Sequence, residues 1–280
     1  MIGLAGASGD AGRLVGAELD ERGVAWRAGD DLTGCDLVIN VGPEPSLAEV
    51  EAAIAAGAGY VDGCANVERL EQLYERFATA SVVVVPGCVP EAVLGDIAAA
   101  VAVGDLDGGR PDEVVVSYDF GGAVPRLARP GRWARRRRVP FPDGSLTGVE
   151  VQWGERVRVP RWLPGAQVST VLTVSETNAT LLRVGGLLDP LTRYLPNPLA
   201  AAPRQGGFRL LAEVRSGHRR EAILVQAEGG PALAARVLVE AALQAGGAGA
   251  LTPAQALDPQ PFLRSVTGPA LTWQRVDSRP

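Results

Sequence analysis

Apolar and polar positions follow two regimes along the chain. Over the first hundred residues, short continuous apolar runs alternate with longer stretches whose apolar positions recur every three or four residues. Ile2 and Leu4 open a first run, and Leu14, Val15, Ala17 and Leu19 follow at helical spacing. Further runs at 24–28, 36–41, 60–62 and 81–86 are separated by predicted helices at 46–56, 67–80 and 90–103. Runs apolar on both faces, alternating with helices, predict a parallel sheet covered on both sides. After a Gly/Asp-rich boundary at 104–111 the pattern changes. Segments 113–120, 146–153, 168–175, 208–216 and 219–227 alternate or are β-branched, and Ser216-Gly217-His218 reads as a hairpin turn. A helix at 232–245 and a capped helix in the tail complete the pattern. The expected fold class is α/β: a parallel-sheet domain over 1–108, a second α+β domain on a mostly antiparallel sheet over 109–230, and C-terminal helices over 231–280 that return to the first domain.

Between the first strand and the first helix lie Gly6, Gly9 and Gly12, three residues apart. Strand, glycine turn and helix in this order suit a pyrophosphate. Gly6 allows the tight turn, Gly9 the approach of backbone to ligand, and Gly12 close packing of helix on strand. The N–H groups at the helix start then face an anion. At the end of the second strand a ribose partner is expected, and both Arg27 and the pair Asp30, Asp31 are present. The first favours a 2′-phosphate and the second a free 2′-hydroxyl, so NADP and NAD both stay open. The chain then moves directly from Asp31 to the strand at Asp36, without the helix and strand that a full dinucleotide fold places there. The parallel domain is therefore Rossmann-like but abridged after its second strand.

Composition narrows the chemistry. The chain has 280 residues, a net charge of −5, 46% hydrophobic and 21% charged residues, which fits a globular protein and gives no global basic field for nucleic acid. All 27 basic residues are arginine. The absence of lysine excludes Schiff-base catalysis and a lysine general base, and a single histidine, His218, excludes a multi-histidine metal site. Cys35, Cys64 and Cys88 lack CxxC spacing and read as buried thiols of a reducing compartment. No long uncharged apolar span and no basic leader is seen, so a soluble cytoplasmic protein is expected.

Several blocks resemble saccharopine dehydrogenase-like oxidoreductases, a group that includes trans-acting enoyl reductases. GASGDAGR (6–13) resembles the family's GASGYTGR, DLVINVGP (36–43) its DVVINCVGPF, and AAIAAGAGYVD (52–62) its EACIAAGAHYVD. VVPGCVPEAVLGDIAAAVA (84–102) resembles VVPGCGFDSVPSDLGAYLA, and GALTPAQAL (249–257) is also similar. The resemblance implies NAD(P)-dependent hydride transfer to or from a C=N or C=C bond of a small or carrier-bound metabolite. It implies cofactor contacts from Gly6, Ser8, Gly9, Asp10, Gly12, Arg13, Arg27, Asn40, Gly42 and Pro43. The chain departs from the family at Asp10 (a tyrosine there), Glu44 (an aromatic) and Pro90-Glu91-Ala92 (an FDS triplet). Asp10 and Glu44 put negative charge beside the phosphate path.

Without lysine, proton delivery falls to Glu91, Tyr118, Asp119, His218 or water. Glu91 also reads as a helix-start acid, His218 as a solvated turn residue, and Asn40 as a turn former. Cys64, close to the expected nicotinamide position, reads as an inert thiol. The arginines at 135–138, with Arg126, Arg129, Arg132 and Trp133 nearby, read either as a solvated face or as a grip on an anionic or carrier-bound substrate. A second reading comes from another class: a redox-inactive protein of this fold, serving specialised metabolism as a cyclase, isomerase or binding protein that uses the inter-domain cleft, with Trp133, Trp153 and Trp162 reading either as its lining or as core packing. Partners expected are a small-molecule or carrier-bound substrate and a second copy of the chain, with no nucleic acid, membrane or metal.

Overall fold

The computed structural model describes residues 1–29, 31–42, 45–106, 109–121, 123, 129–130, 134–187 and 207–276. Two compact units divide the chain: residues 1–97 with 230–267, and residues 98–229 with 268–280. The first boundary falls inside a helix, and residues 268–276, grouped from sequence with the C-terminal helices, belong to the second unit.

In the first unit, burial of short apolar runs builds a parallel sheet. β1 (Ile2–Ala5), β2 (Trp26–Ala28), β3 (Leu37–Asn40), β4 (Gly59–Asp62) and β5 (Val83–Val85) follow in chain order, and β3, β4 and β5 are buried throughout. With β13 (Gly249–Ala250) the order is β13-β5-β4-β3-β1-β2, every neighbour parallel. The connecting helices are α1 (Asp10–Glu21), α2 (Leu47–Ala55), α3 (Val67–Arg76) and α4 (Pro90–Asp105). Val38, Tyr60 and Val84 share one sheet face and pack with Val50 and Ala53 of α2 and Leu73 of α3. A later helix, α7 (Pro231–Gln244), packs against α1 and against β3 and β4. Ser46 starts α2 with a capping box, which S-x-x-E spacing at 46–49 spells out in the sequence: its Oγ accepts from Glu49 N–H at 3.2 Å while the Glu49 carboxylate accepts from Ser46 N–H.

The abridged connection has a visible physical basis. β2 and β3 lie on opposite sides of β1, and the described residues between them, Gly29 and 31–36, form no helix. The crossing starts where Gly29 N–H meets the Leu4 carbonyl at 3.4 Å and ends where Asp36 N–H meets the Met1 carbonyl at 2.9 Å. Leu32 and Cys35 lie over Gly3, where a Cβ would come within 3.3 Å and 3.1 Å of their side chains. A glycine in β1 therefore makes room for a crossing that lies flat on the strand.

The second unit is built on a curled, mostly antiparallel sheet. β6 (Glu113–Asp119), β9 (Gly144–Gln152), β10 (Gln167–Thr173), β11 (Phe208–Ser216) and β12 (Arg219–Ala227) match the five segments read from sequence. β7 (Arg129–Pro130), β8 (Arg136–Phe141) and β14 (Leu271–Arg275) extend it, giving the order β14-β12-β11-β6-β10-β9-β7 with β8 also on β9. The β6–β10 pair is the parallel one. α5 (Glu155–Trp162) and α6 (Glu176–Leu187) accompany the sheet. β8 escaped the sequence reading because RRRVPF carries an arginine run and a proline. An edge strand tolerates both, since charge and proline there block further pairing. α5 escaped because its V-R-V-P stretch alternates like a strand. The short helices α8 (Pro253–Ala256) and α9 (Pro259–Val266) belong to the first unit, while β14 pairs with β12. Among the described residues no helix is long and apolar enough to cross a membrane.

Candidate functional site

The carboxyl ends of the first unit's strands form the candidate site, at the point where strand order reverses. Chain order runs outward from β1 to β2 on one side and to β3 on the other, the position where open α/β sheets bind ligands. The turns after β1 and β3 touch: Val41 N–H donates to the Ala5 carbonyl at 3.2 Å, and a Cβ on Gly6 would sit 3.2 Å from Gly42 N.

The three glycines differ in what demands them. Gly6 has φ +76°, a left-handed conformation that favours glycine. Gly12 is buried, and a Cβ there would lie 2.5 Å from the Gly6 oxygen and from Ala7 Cα. Gly9, the N-cap of α1, has ordinary extended backbone at φ −78°, ψ 172°. Its Cβ would meet only the Gly6 oxygen, at 3.7 Å. Neither conformation nor packing requires glycine at this position.

Around this turn, Ser8, Gly9 and Asp10 are exposed. α1 has no side-chain cap hydrogen bond at its start. Asp10 is folded onto Arg13, which also donates to the Ser8 carbonyl at 3.2 Å. The arginine offsets the carboxylate that sequence places beside the phosphate path. Arg27 is engaged with the crossing segment: its guanidinium donates to the Thr33 carbonyl and lies 3.6 Å from Asp31. Asn40 is buried and its Oδ1 accepts from Gly42 N–H at 2.8 Å, which shapes the second turn. Pro43, Asp30 and Glu44 lie outside the described residues.

Asp62 is the residue that sequence reading passed over. Its Oδ1 accepts from Cys64 N–H at 2.7 Å and from Gly87 N–H at 2.9 Å, and its carbonyl accepts from Cys88 N–H at 2.6 Å. One buried carboxylate thus ties the loops after β4 and β5 together and fixes the entry to α4. The signal was an acid closing a continuously buried strand. The Tyr60 hydroxyl lies near Asn40 and Asp62; burial first, then the Asp62 and Glu49 carboxylates, raise its pKa. Cys64 and Cys88 are buried free thiols. Glu91 stands in the first turn of α4, partly exposed, and burial lifts its carboxyl above the usual range while its own N–H pulls the other way. A carboxyl raised in this way is a better proton donor near neutrality.

The other sequence-expected proton donors belong to the second unit. Tyr118 is buried, 1% exposed. Its hydroxyl donates to Glu155 Oε1 at 2.6 Å and its ring stacks with Trp153 and Phe120. Glu155 also accepts from Thr170 at 3.1 Å; burial raises its carboxyl, opposed by Arg158 and these hydrogen bonds. Asp119 points to the opposite face, accepting from Thr173 at 2.9 Å, Gly121 N–H at 3.1 Å and Arg209 at 2.8 Å. Asp119 and Arg209 border a concavity of about 440 Å³ with Phe208, Gln226 and Thr272. His218 is exposed in the two-residue β11–β12 turn, beyond the Glu113 end of β6. It lies six residues of strand from Asp119, roughly 20 Å at strand rise, so the two do not act on one small substrate.

Two arginines of β8 have acidic partners. Arg137 bridges Glu113 and Glu150, each at 2.8 Å, and Arg136 pairs with Glu176, leaving Arg135 and Arg138 exposed. Arg126, Arg132 and Trp133 lie outside the described residues, as does the Arg129 side chain. Trp153 stacks in the aromatic row rather than standing open.

No family model and no curated protein matches the chain. Among solved structures it is similar to a saccharopine dehydrogenase (L-Glu forming) from Saccharomyces cerevisiae, with 10% identity, a TM-score of 0.54 and 99% of each chain covered. It also aligns with a dehydrogenase from Chromobacterium violaceum (13% identity, 81% of this chain and 74% of that one, TM-score 0.39) and an oxidoreductase from Sinorhizobium meliloti (10%, 82% and 75%, TM-score 0.40). At such identities the likeness is one of fold, and the chain is similar in fold to saccharopine dehydrogenase along nearly its whole length.

Proposed function

We propose that the chain is an NAD(P)-dependent oxidoreductase of the saccharopine dehydrogenase-like type, transferring hydride to or from a C=N or C=C bond of a small or carrier-bound metabolite. The observation that carries this reading is Gly9. It is the middle member of a triplet whose outer members the chain itself requires, and it alone would take a side chain with no contact closer than an ordinary 3.7 Å. A ligand whose pyrophosphate comes close to the backbone explains a glycine there. The bound nicotinamide supplies the hydride chemistry, and the protein supplies binding, orientation and electrostatics. The uncapped N–H groups of α1 receive the anion. Arg13 neutralises Asp10, Asn40 holds the turn at Gly42, and Asp62 sets the loops on the far side. Glu91 is the group of the first unit suited to hold and deliver a proton.

Titration of the full chain with NADH and NADPH, followed by nicotinamide fluorescence and calorimetry, tests the reading. Micromolar binding is expected. Gly9→Val should abolish it while leaving the melting temperature within a few degrees, because the new Cβ meets only the Gly6 oxygen, at an ordinary 3.7 Å. Absence of binding at millimolar cofactor would overturn the reading. It would favour a redox-neutral cyclase, isomerase or binding protein, a role consistent with a sheet that, among the described residues, ends at β2.

A further inference from the structure

The ribose end of the proposed site carries a second message, which rests on the dinucleotide reading above. Three observations meet there. First, Gly29 N–H bonds to the Leu4 carbonyl, so the crossing segment starts at the same sheet end as the glycine turn, two residues from Gly6. Second, Arg27, the one arginine of β2, does not stand clear of this segment. Its guanidinium donates to the Thr33 carbonyl, lies 3.6 Å from Asp31 and is about 30% exposed. Third, the Asp31 side chain is 75% exposed and is held in place by Thr33 N–H at 3.0 Å. Thr33 N–H, then Arg27, keep its carboxyl below the usual carboxylate range, so it stays ionised at neutral pH.

We infer that the site selects a ligand with a free ribose 2′-hydroxyl, NAD(H), and rejects the 2′-phosphorylated NADP(H). The cation that a 2′-phosphate needs is bound to the crossing segment, and an exposed carboxylate stands next to it. Releasing Arg27 would uncouple it from both Thr33 and Asp31, and the doubly charged phosphate would still face Asp31. A 2′-hydroxyl can donate to that carboxylate instead. The shortened β2–β3 connection is thus what sets the preference, because it places Asp31 and Thr33 within reach of Arg27.

The test uses ADP-ribose and 2′-phospho-ADP-ribose alongside NADH and NADPH, so that recognition is read apart from redox chemistry. The unphosphorylated member of each pair should bind at least tenfold tighter at low salt, with the ratio shrinking as salt rises. Asp31→Asn keeps an acceptor for Thr33 N–H, and should narrow the ratio at least threefold. Arg27→Gln should not weaken the 2′-phosphorylated ligands selectively. Equal or tighter binding of NADPH would overturn the inference and leave the oxidoreductase reading standing. So would a selective loss of NADPH binding in Arg27→Gln, or an unchanged ratio in Asp31→Asn. Failure of all four ligands to bind would overturn both.

Discussion

The two sheets place their buried polar groups in different ways. In the first unit the strand interiors are apolar, and buried Asn40 and Asp62 stand at carboxyl strand ends, where they hold loops. In the second unit buried polar groups lie within the sheet and its helix. Glu155 and Arg158 sit beneath Tyr118 and Thr170, Glu213 lies between Arg215 and Arg220, and Asp119 is bound to Arg209. Arg209 reaches on to Asp143 at the β8–β9 turn and stacks over Phe141, which closes the curl of the sheet. A parallel sheet with helices on both faces has water only at its strand ends, so the polar groups of its strands collect there and organise a site, while buried Asp96 and Glu240 lie on its helices. A curled sheet brings distant strands together, and its polar groups act as ties.

The strongest break of this contrast is Glu155→Leu. Removing the carboxylate takes away the acceptor that the buried Tyr118 and Thr170 hydroxyls share, at a cost of about 3 kcal/mol. Denaturant unfolding of the full chain measures this, and a loss under 1 kcal/mol would show that the cluster is not a tie. Next is Gly12→Val in the first unit. Its Cβ would collide with backbone, so about 2–3 kcal/mol should be lost, against at most about 1 kcal/mol for Gly9→Val, where the change is at the N-cap. Equal losses at the two glycines would remove the ground for assigning Gly9 to a ligand.

pH sharpens the comparison. Burial raises the Glu155 carboxyl in the folded state, so its contribution is present below the ordinary value of 4.5 and is lost as pH rises through the folded value. Burial also pulls Glu240 of the first unit upward, but hydrogen bonds from Arg22, Ser265 and Gln244 outweigh it and hold the carboxyl low. Its contribution is present above 4.5 and lost as pH falls. Glu155→Gln should therefore flatten the loss of melting temperature on the alkaline side, and Glu240→Gln the loss on the acid side. Glu91 acts in the same sense as Glu155, so the variants rather than the parent separate the units. Smaller effects come from the β11–β12 turn. Gly217 has φ +57°, and Gly217→Ala should cost about 1 kcal/mol. His218→Ala, at an exposed turn position, should stay within about 0.5 kcal/mol and leave cofactor binding unchanged. A larger effect on binding would return His218 to the site.

Local patterns determined much of this protein. The strand–glycine turn–helix start, the Ser46–Glu49 capping box, the run of buried valines in β5, the two-residue turn at Gly217 and the five central strands of the second sheet were all legible. Each rests on contacts within a few residues or on the two periods of side-chain direction. What the tertiary structure decided rests on neighbours far apart in sequence. It separated Gly9 from Gly12, because only packing shows which glycine the chain itself requires. It tied Arg27 to Thr33 and Asp31 through a crossing segment made possible by Gly3. It placed Tyr118 inside and Asp119 toward Arg209, though adjacent positions of one strand look alike until the two sheet faces are known. It also added β8 and β14 as edge strands, whose weak local signals become strands only when β9 and β12 supply the hydrogen bonds.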